Sequence, residues 1–160
     1  MLPEEVTKLI GKTGEVSILE VEKGAIARFA DAVGDPNPLY WDEEYARKSR
    51  YGSIIAVPGF FGWATKAATR EAASSETREN LRAALAKAGY TNPANIDAGV
   101  EYEFFSPVRA GDTLASLSTI KDIIEREGRT GKMAFIITEV TYTNQRGELV
   151  AKSRRTLIQR

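Results

Sequence analysis

The spacing of apolar residues changes character part-way along the chain, helical up to about residue 90 and alternating beyond it. Ile26, Phe29, Ala30 and Val33 recur at three-and-four spacing, which predicts an amphipathic helix over 22–33 that Gly34 ends. A short helix is predicted over 3–10, with Pro3 at its start and Gly11 just past its end, and a short strand over 15–21. Asp42 suits the cap of another short helix running to about Ser49, and Glu43 and Glu44 suit its positive end. The apolar run 53–57 leads into Pro58-Gly59, after which FFGWATKAATREAA reads as a longer helix. Its first turns hold Phe60, Phe61, Trp63, Ala64 and Ala67, so that end is expected to be buried. Leu81, Ala84, Leu85 and Ala88 mark one more amphipathic helix over 76–88, ended by Gly89.

After Pro93 the pattern becomes that of strands. Segments 99–106, 113–124, 132–143 and 149–158 are rich in β-branched and aromatic residues. The gaps between them carry turn signals: Arg109-Ala110-Gly111-Asp112, Glu127-Gly128-Arg129-Thr130-Gly131 and Gln145-Arg146-Gly147. Such gaps suit antiparallel connections and not helical crossovers. In the third strand Ala134, Ile136, Val140 and Tyr142 lie on one face and Met133, Phe135 and Ile137 on the other. A strand apolar on both faces is expected to be covered on both, by the 58–70 helix on one side and by a partner subunit on the other. The predicted class is α+β, with helices packed on one face of an antiparallel sheet. No repeat, low-complexity stretch or dividing linker interrupts the 160 residues, so one domain over 1–160 is expected, with a helical extension at 64–90.

Composition narrows the chemistry. Lys plus Arg and Asp plus Glu both number 22 and the formal charge is zero, which gives no footprint for nucleic acid. There is no run of 18 apolar residues to span a membrane and no apolar segment at the start, so a cytoplasmic location is expected. The chain has no cysteine, hence no disulfide, thiolate nucleophile or cysteine-ligated metal. It also has no histidine, which rules out a Ser-His-Asp or Cys-His arrangement and histidine zinc ligands built from this chain. Acid–base work must come from carboxylates, tyrosines, lysines or a second chain. No metal or redox cofactor is expected.

One segment concentrates the candidate chemistry. Two prolines within three residues make Asp35-Pro36-Asn37-Pro38 a rigid, non-helical turn. Asp and Asn in such a turn are often only turn formers. The stretch from Ala32 through Gly34-Asp35-Pro36-Asn37-Pro38-Leu39-Tyr40-Trp41-Asp42 to Ala46, with Tyr51-Gly52-Ser53 and Val57-Pro58-Gly59-Phe60 following, resembles the hydratase signature of the MaoC family. Glu101-Tyr102-Glu103-Phe104-Phe105-Ser106-Pro107-Val108-Arg109-Ala110-Gly111-Asp112 and Gly147-Glu148-Leu149-Val150-Ala151 are similar to that family's later strands. The likeness runs over nearly the whole chain and is nearest the FAS1-like dehydratase, or MaoC N-terminal, branch.

That resemblance implies a hotdog fold, an antiparallel sheet wrapped around a long central helix and commonly dimerised edge to edge. It implies an acyl thioester of CoA or an acyl carrier protein as substrate, and addition or removal of water across an enoyl double bond. By position Asp35 matches the family's catalytic Asp, Asn37 its Asn, and Gly59 the glycine whose N–H receives the thioester oxygen. The family's histidine position holds Tyr40. Free His titrates near 6.5 and Tyr near 10, a gap of about 3.5 units or roughly 5 kcal/mol, so Tyr40 is a poor base and a better donor. Phe60 and Trp63 are candidates for an acyl-binding wall, although first-turn aromatics are more usually core. Trp41 reads as a core or interface aromatic. Arg50, Arg109, Lys132, Arg154 and Arg155 are candidate contacts for CoA phosphates, set against the commoner role of solvated surface charge.

Several functions are compatible with these residues. The chain is expected to be a hydratase/dehydratase-class subunit that shapes the acyl site while a His-containing MaoC-like partner does the chemistry. A self-sufficient homodimer using Asp35, a hotdog thioesterase and a non-catalytic binding subunit are the alternatives.

Overall fold

A computed structural model of the chain describes residues 2–60, 76–92, 96–129 and 131–160. Helix α1 is Glu4–Thr7, strand β1 Ser17–Glu20 and helix α2 Lys23–Val33. A 3-10 turn at Pro38–Tyr40 precedes α3, Glu43–Lys48, and α4 is Glu76–Lys87. Four long strands follow: β2 (Ile96–Phe104), β3 (Thr113–Gly128), β4 (Gly131–Asn144) and β5 (Leu149–Gln159). The expected 60–73 helix, with Phe61 and Trp63, falls outside the described residues apart from Phe60.

The strands among the described residues form one antiparallel sheet in the order β1-β3-β4-β5-β2. The β3–β4 hairpin runs further than the apolar pattern indicated. Its tip pairs Glu127 with Lys132 and Gly128 with Gly131, so opposite charges carry the ladder into a segment without apolar alternation. Strand β2 likewise begins at Ile96 and not at residue 99. The register shifts between Ile120 and Asp122 in β3, and between Asp97 and Gly99 in β2. Each shift leaves one residue extra on its strand, which bends and twists it. Gly99 takes φ +128° there, and its N–H donates to the Asp97 carboxylate at 3.2 Å.

The buried residues fall into two groups. One gathers Val21, Ile26, Ala30, Tyr40, the segment 54–57, Phe60, Leu114, Tyr142 and Val150. The other packs Val6 of α1 and Leu81 and Leu85 of α4 on Ile120, Ile123, Ala134 and Ile136. Apart from helix α4, the expected 64–90 extension lies largely outside the described residues, and α4 builds this second core. Tyr90 locks it down: its hydroxyl donates to Glu125 Oε2 at 2.6 Å, and its carbonyl accepts from Gln159 Nε2 at 3.2 Å.

One expectation about faces needs correcting. Val33 does not join Ile26 and Ala30 in the core but is 55% exposed, because it lies in the last turn of α2, where Gly34 carries the chain outward. The second face of β4 is half-buried, and part of its cover comes from within the chain: the Arg126 guanidinium lies over the Phe135 ring at 5.1 Å.

Leu85→Ala removes a fully buried side chain from the second core. It is expected to lower unfolding free energy by about 2–5 kcal/mol in denaturant titration while leaving the far core's near-ultraviolet tyrosine signals in place.

Candidate active site

The turn that holds Asp35 is built by hydrogen bonds at each step. Helix α2 ends on Gly34 in the left-handed conformation (φ +72°), with Gly34 N–H bonded to the Asp31 carbonyl at 3.1 Å and Asp35 N–H to Ala30 at 2.9 Å. This pairing satisfies the last carbonyls of the helix and fixes the direction in which the chain leaves it. Pro36 and Pro38 have no N–H. The two donors between and after them are taken by side chains: Asp35 Oδ1 accepts from Asn37 N–H at 3.1 Å, and Asn37 Oδ1 accepts from Leu39 N–H at 3.1 Å. Asp35 and Asn37 are therefore turn formers. Asn37 spends its oxygen on this cap, while Asp35 is half-buried and keeps its second oxygen out of that bond.

Tyr40 ends the 3-10 turn and is 7% exposed. Burial raises its phenol above the usual tyrosine range, and the charges of Asp35 and, to a smaller extent, Tyr51 push in the same direction. A tyrosine so placed keeps its proton and acts as a hydrogen-bond donor. Trp41, 54% exposed, donates from Nε1 to the Pro36 carbonyl at 3.4 Å and so braces the turn from outside; it is not a core aromatic.

A second loop is tied to this turn. The Ile55 N–H donates to the Leu39 carbonyl at 3.3 Å. Ala56 N–H donates to Val108 at 2.8 Å, and Ala110 N–H to Ile54 at 3.0 Å, so the buried 54–57 segment is clamped between the 35–40 turn and the start of the β3 arm. It delivers a β-turn in which Phe60 N–H bonds to the Val57 carbonyl at 2.9 Å. Pro58 and Gly59 occupy its centre, and Gly59 has φ +86°. That is the type II arrangement, which requires glycine at its third position. A Cβ on Gly59 would come no nearer than 3.9 Å to the Tyr102 ring, so conformation and not crowding demands glycine. The Gly59 N–H has no acceptor among the described residues. Phe60 is buried and meets the Phe29 ring edge-on at 5.7 Å, which makes it a core side chain. Trp63 lies outside the described residues.

Three further tyrosines surround these loops and were quoted in the sequence without a role. Tyr51 packs against the core that holds Tyr40, and its carbonyl accepts from Arg109 Nη2 at 3.2 Å. Tyr102 of β2 lies against Gly59. Tyr142 of β4 is buried, its phenol raised first by burial, and Tyr102 is raised by burial too. Alternation alone turned Tyr102 and Tyr142 to the inner face; no local signal linked them to Gly59.

The basic residues do not gather into an anion site. Lys132 pairs with Glu125 at 3.8 Å, Arg154 with Glu139 at 3.7 Å and Arg155 with Asp97 at 2.5 Å, while the Arg50 guanidinium covers the Tyr51 ring at 4.7 Å. Two shallow open clefts lie elsewhere: one of about 470 Å³ along residues 20–23 and 111–113, and one of about 240 Å³ bordered by Lys23, Arg47 and Ser53. Neither includes Asp35, Tyr40 or Gly59. Among the described residues no three metal-ligating side chains converge, and no helix is long and apolar enough to cross a membrane.

Comparison with known proteins agrees with this fold. The profile of the FAS1-like dehydratase domain region matches residues 8–153. A probable enoyl-CoA hydratase alpha subunit from Thermomonospora curvata is 33% identical over 138 residues, which are 83% of this chain and 43% of that protein. The chain thus spans less than half the length of that relative. The crystal structure of a MaoC-like dehydratase from Rhodospirillum rubrum superposes with a TM-score of 0.65 at 26% identity, covering 94% of this chain and 91% of the other. A C-terminally truncated HadBC (3R-hydroxyacyl-ACP dehydratase) complex from Mycobacterium tuberculosis superposes at 0.71 with 23% identity, covering 96% and 98%. The sheet is that of the hotdog fold in an α+β chain.

The phenols of Tyr40, Tyr102 and Tyr142 all sit above the ordinary value of 10.0. The folded state holds these protons more tightly than the unfolded one, so their contribution to stability is full below pH 10 and lost as pH rises through the folded values. Thermal midpoints are expected to fall above pH 10, and less steeply in Tyr40→Phe; superimposable profiles would exclude a perturbed Tyr40.

Proposed function

The chain belongs to the FAS1-like dehydratase domain family, and on that footing we propose that it is an acyl-thioester-binding subunit of a MaoC-type hydratase/dehydratase whose base comes from a second, histidine-bearing chain. The observation that carries the reading is Tyr40: buried, held protonated beside Asp35, in a chain without histidine. The relative from Thermomonospora curvata is itself called an alpha subunit, which favours a multi-chain enzyme.

Hydration of an enoyl thioester proceeds by attack of water oxygen on C3. A base takes the water proton, negative charge moves to the thioester oxygen, and C2 then receives a proton. In this reading the Gly59 N–H holds the thioester oxygen, a role that needs a preorganised donor and no side chain. Tyr40 donates to the attacking water and Asp35 orients it. Neither Tyr40 nor Asn37, whose oxygen is used within the turn, has a pKa suited to taking the proton at neutral pH. CoA or an acyl carrier protein brings the acyl group, and no other cofactor is invoked.

The assay is hydration of crotonyl-CoA by the purified chain, followed through loss of the enoyl absorbance. Alone, the chain is expected to bind the thioester without turning it over. Tyr40→His, which supplies a base, is expected to raise the rate by about 10²-fold, within the usual span of general base catalysis. Turnover by the unmodified chain that Asp35→Asn abolishes would instead establish a self-sufficient hydratase. Release of free CoA from a saturated acyl-CoA would establish a thioesterase.

A further inference from the structure

One buried acid has no part in the chemistry above. Asp112 is 5% exposed, and among the described residues no lysine or arginine pairs with it. A carboxylate taken out of water is costly unless its oxygens are hydrogen-bonded. Here both are. Oδ2 accepts from the Arg109 N–H at 2.7 Å, and Oδ1 accepts from Gln145 Nε2 at 2.9 Å. The Gln145 side-chain oxygen in turn accepts from the Thr113 N–H at 3.0 Å. The network therefore needs a group at residue 112 that accepts twice. Asparagine, with one acceptor and one donor, would set its NH₂ against one of the two N–H groups.

The turn that Asp112 closes touches both loops of the site. Its main chain also bonds back, Asp112 N–H to the Arg109 carbonyl at 3.1 Å. From this closed turn the Val108 carbonyl takes the Ala56 N–H, the Ala110 N–H reaches the Ile54 carbonyl, and the Arg109 guanidinium reaches the Tyr51 carbonyl at 3.2 Å. These bonds hold the chain as it enters the Gly59 turn. On the other side Gly111 N–H donates to the Val21 carbonyl and Val21 N–H to the Asp112 carbonyl, both at 2.8 Å. Val21 stands just before α2, the helix whose far end leads into Asp35.

We propose that Asp112 is a positioning residue for the Gly59 turn. With Gln145 it fixes the 108–112 turn, and through it the placement of the Gly59 turn against the α2 arm that carries Asp35. The inference rests on the thioester reading above for its functional meaning. Amide exchange tests the positioning and thioester affinity tests that reading, so the two can fail separately.

The test compares the full chain carrying Asp112→Asn with one carrying Asp112→Asn and Gln145→Glu together. The double change reverses one bond: residue 112 donates and residue 145 accepts, while the Arg109 and Thr113 N–H groups keep their acceptors. In Asp112→Asn, hydrogen exchange at the Ala56 and Ala110 amides is expected to quicken about tenfold, and affinity for butyryl-CoA in calorimetry to fall about tenfold. Exchange in the β3–β4 ladder around Ile123 and Ile136 should stay as it was. The double variant should restore both readouts. Gln145→Ala, at an exposed position, serves where Asp112→Asn does not fold, and should quicken the same two amides about threefold. Unchanged exchange at Ala56 and Ala110, quickening spread equally over the β3–β4 ladder, or a double variant no better than Asp112→Asn would overturn the proposal. Failure of the unmodified chain to bind butyryl-CoA would overturn the thioester reading instead, and the exchange pattern would still decide the positioning.

Discussion

The candidate site depends on how one short turn satisfies its backbone. Between Gly34 and Tyr40 two prolines remove donors, and the remaining N–H groups are taken by the side chains of Asp35 and Asn37 or by nearby carbonyls. Little freedom is left in the backbone that carries the half-buried Asp35 carboxylate and the buried Tyr40 phenol. The Leu39 carbonyl extends this rigidity to the 54–57 segment, and through it to the Gly59 turn. Two loops far apart in sequence thereby become one unit, fastened to the sheet through residues 108–110.

Much of this was legible in the sequence. The helix over 22–33 and its glycine stop, the Asp42 cap and the antiparallel strands were carried by local signals: three-and-four spacing, a left-handed glycine, a capping carboxylate and period-two alternation. The cap is realised as Asp42 Oδ1 accepting from Tyr45 N–H at 3.0 Å. Strand ends were less legible, because the tip of the β3–β4 hairpin and the first residues of β2 are polar or glycine-containing and are held by pairing with neighbours. Val33 had the right spacing but sits where the chain turns away, a fact of tertiary geometry.

The site divides in the same way. Asp35 and Asn37 stood out because proline brackets them and because they match the MaoC-like signature, and Gly59 by that same match. Their local duties as turn formers were visible too, and these do not compete with a chemical role for the free carboxylate oxygen. The tyrosines at 51, 102 and 142 could not be connected to one another from sequence, since they come from a loop and two strands that only the folded sheet brings together. Their shared property, phenols raised by burial, makes this region rich in protonated donors and poor in bases.

The central claim is that the Asp35 turn and the Gly59 turn face one bound thioester. The direct measurement is a two-dimensional amide NMR titration of the full chain with butyryl-CoA, a saturated substrate analogue. We expect the Gly59 amide to move downfield together with the amides of Asp35, Asn37 and Leu39, at a single saturating concentration. Shifts confined to other surfaces, with Gly59 and Asp35 unmoved at saturation, would contradict it.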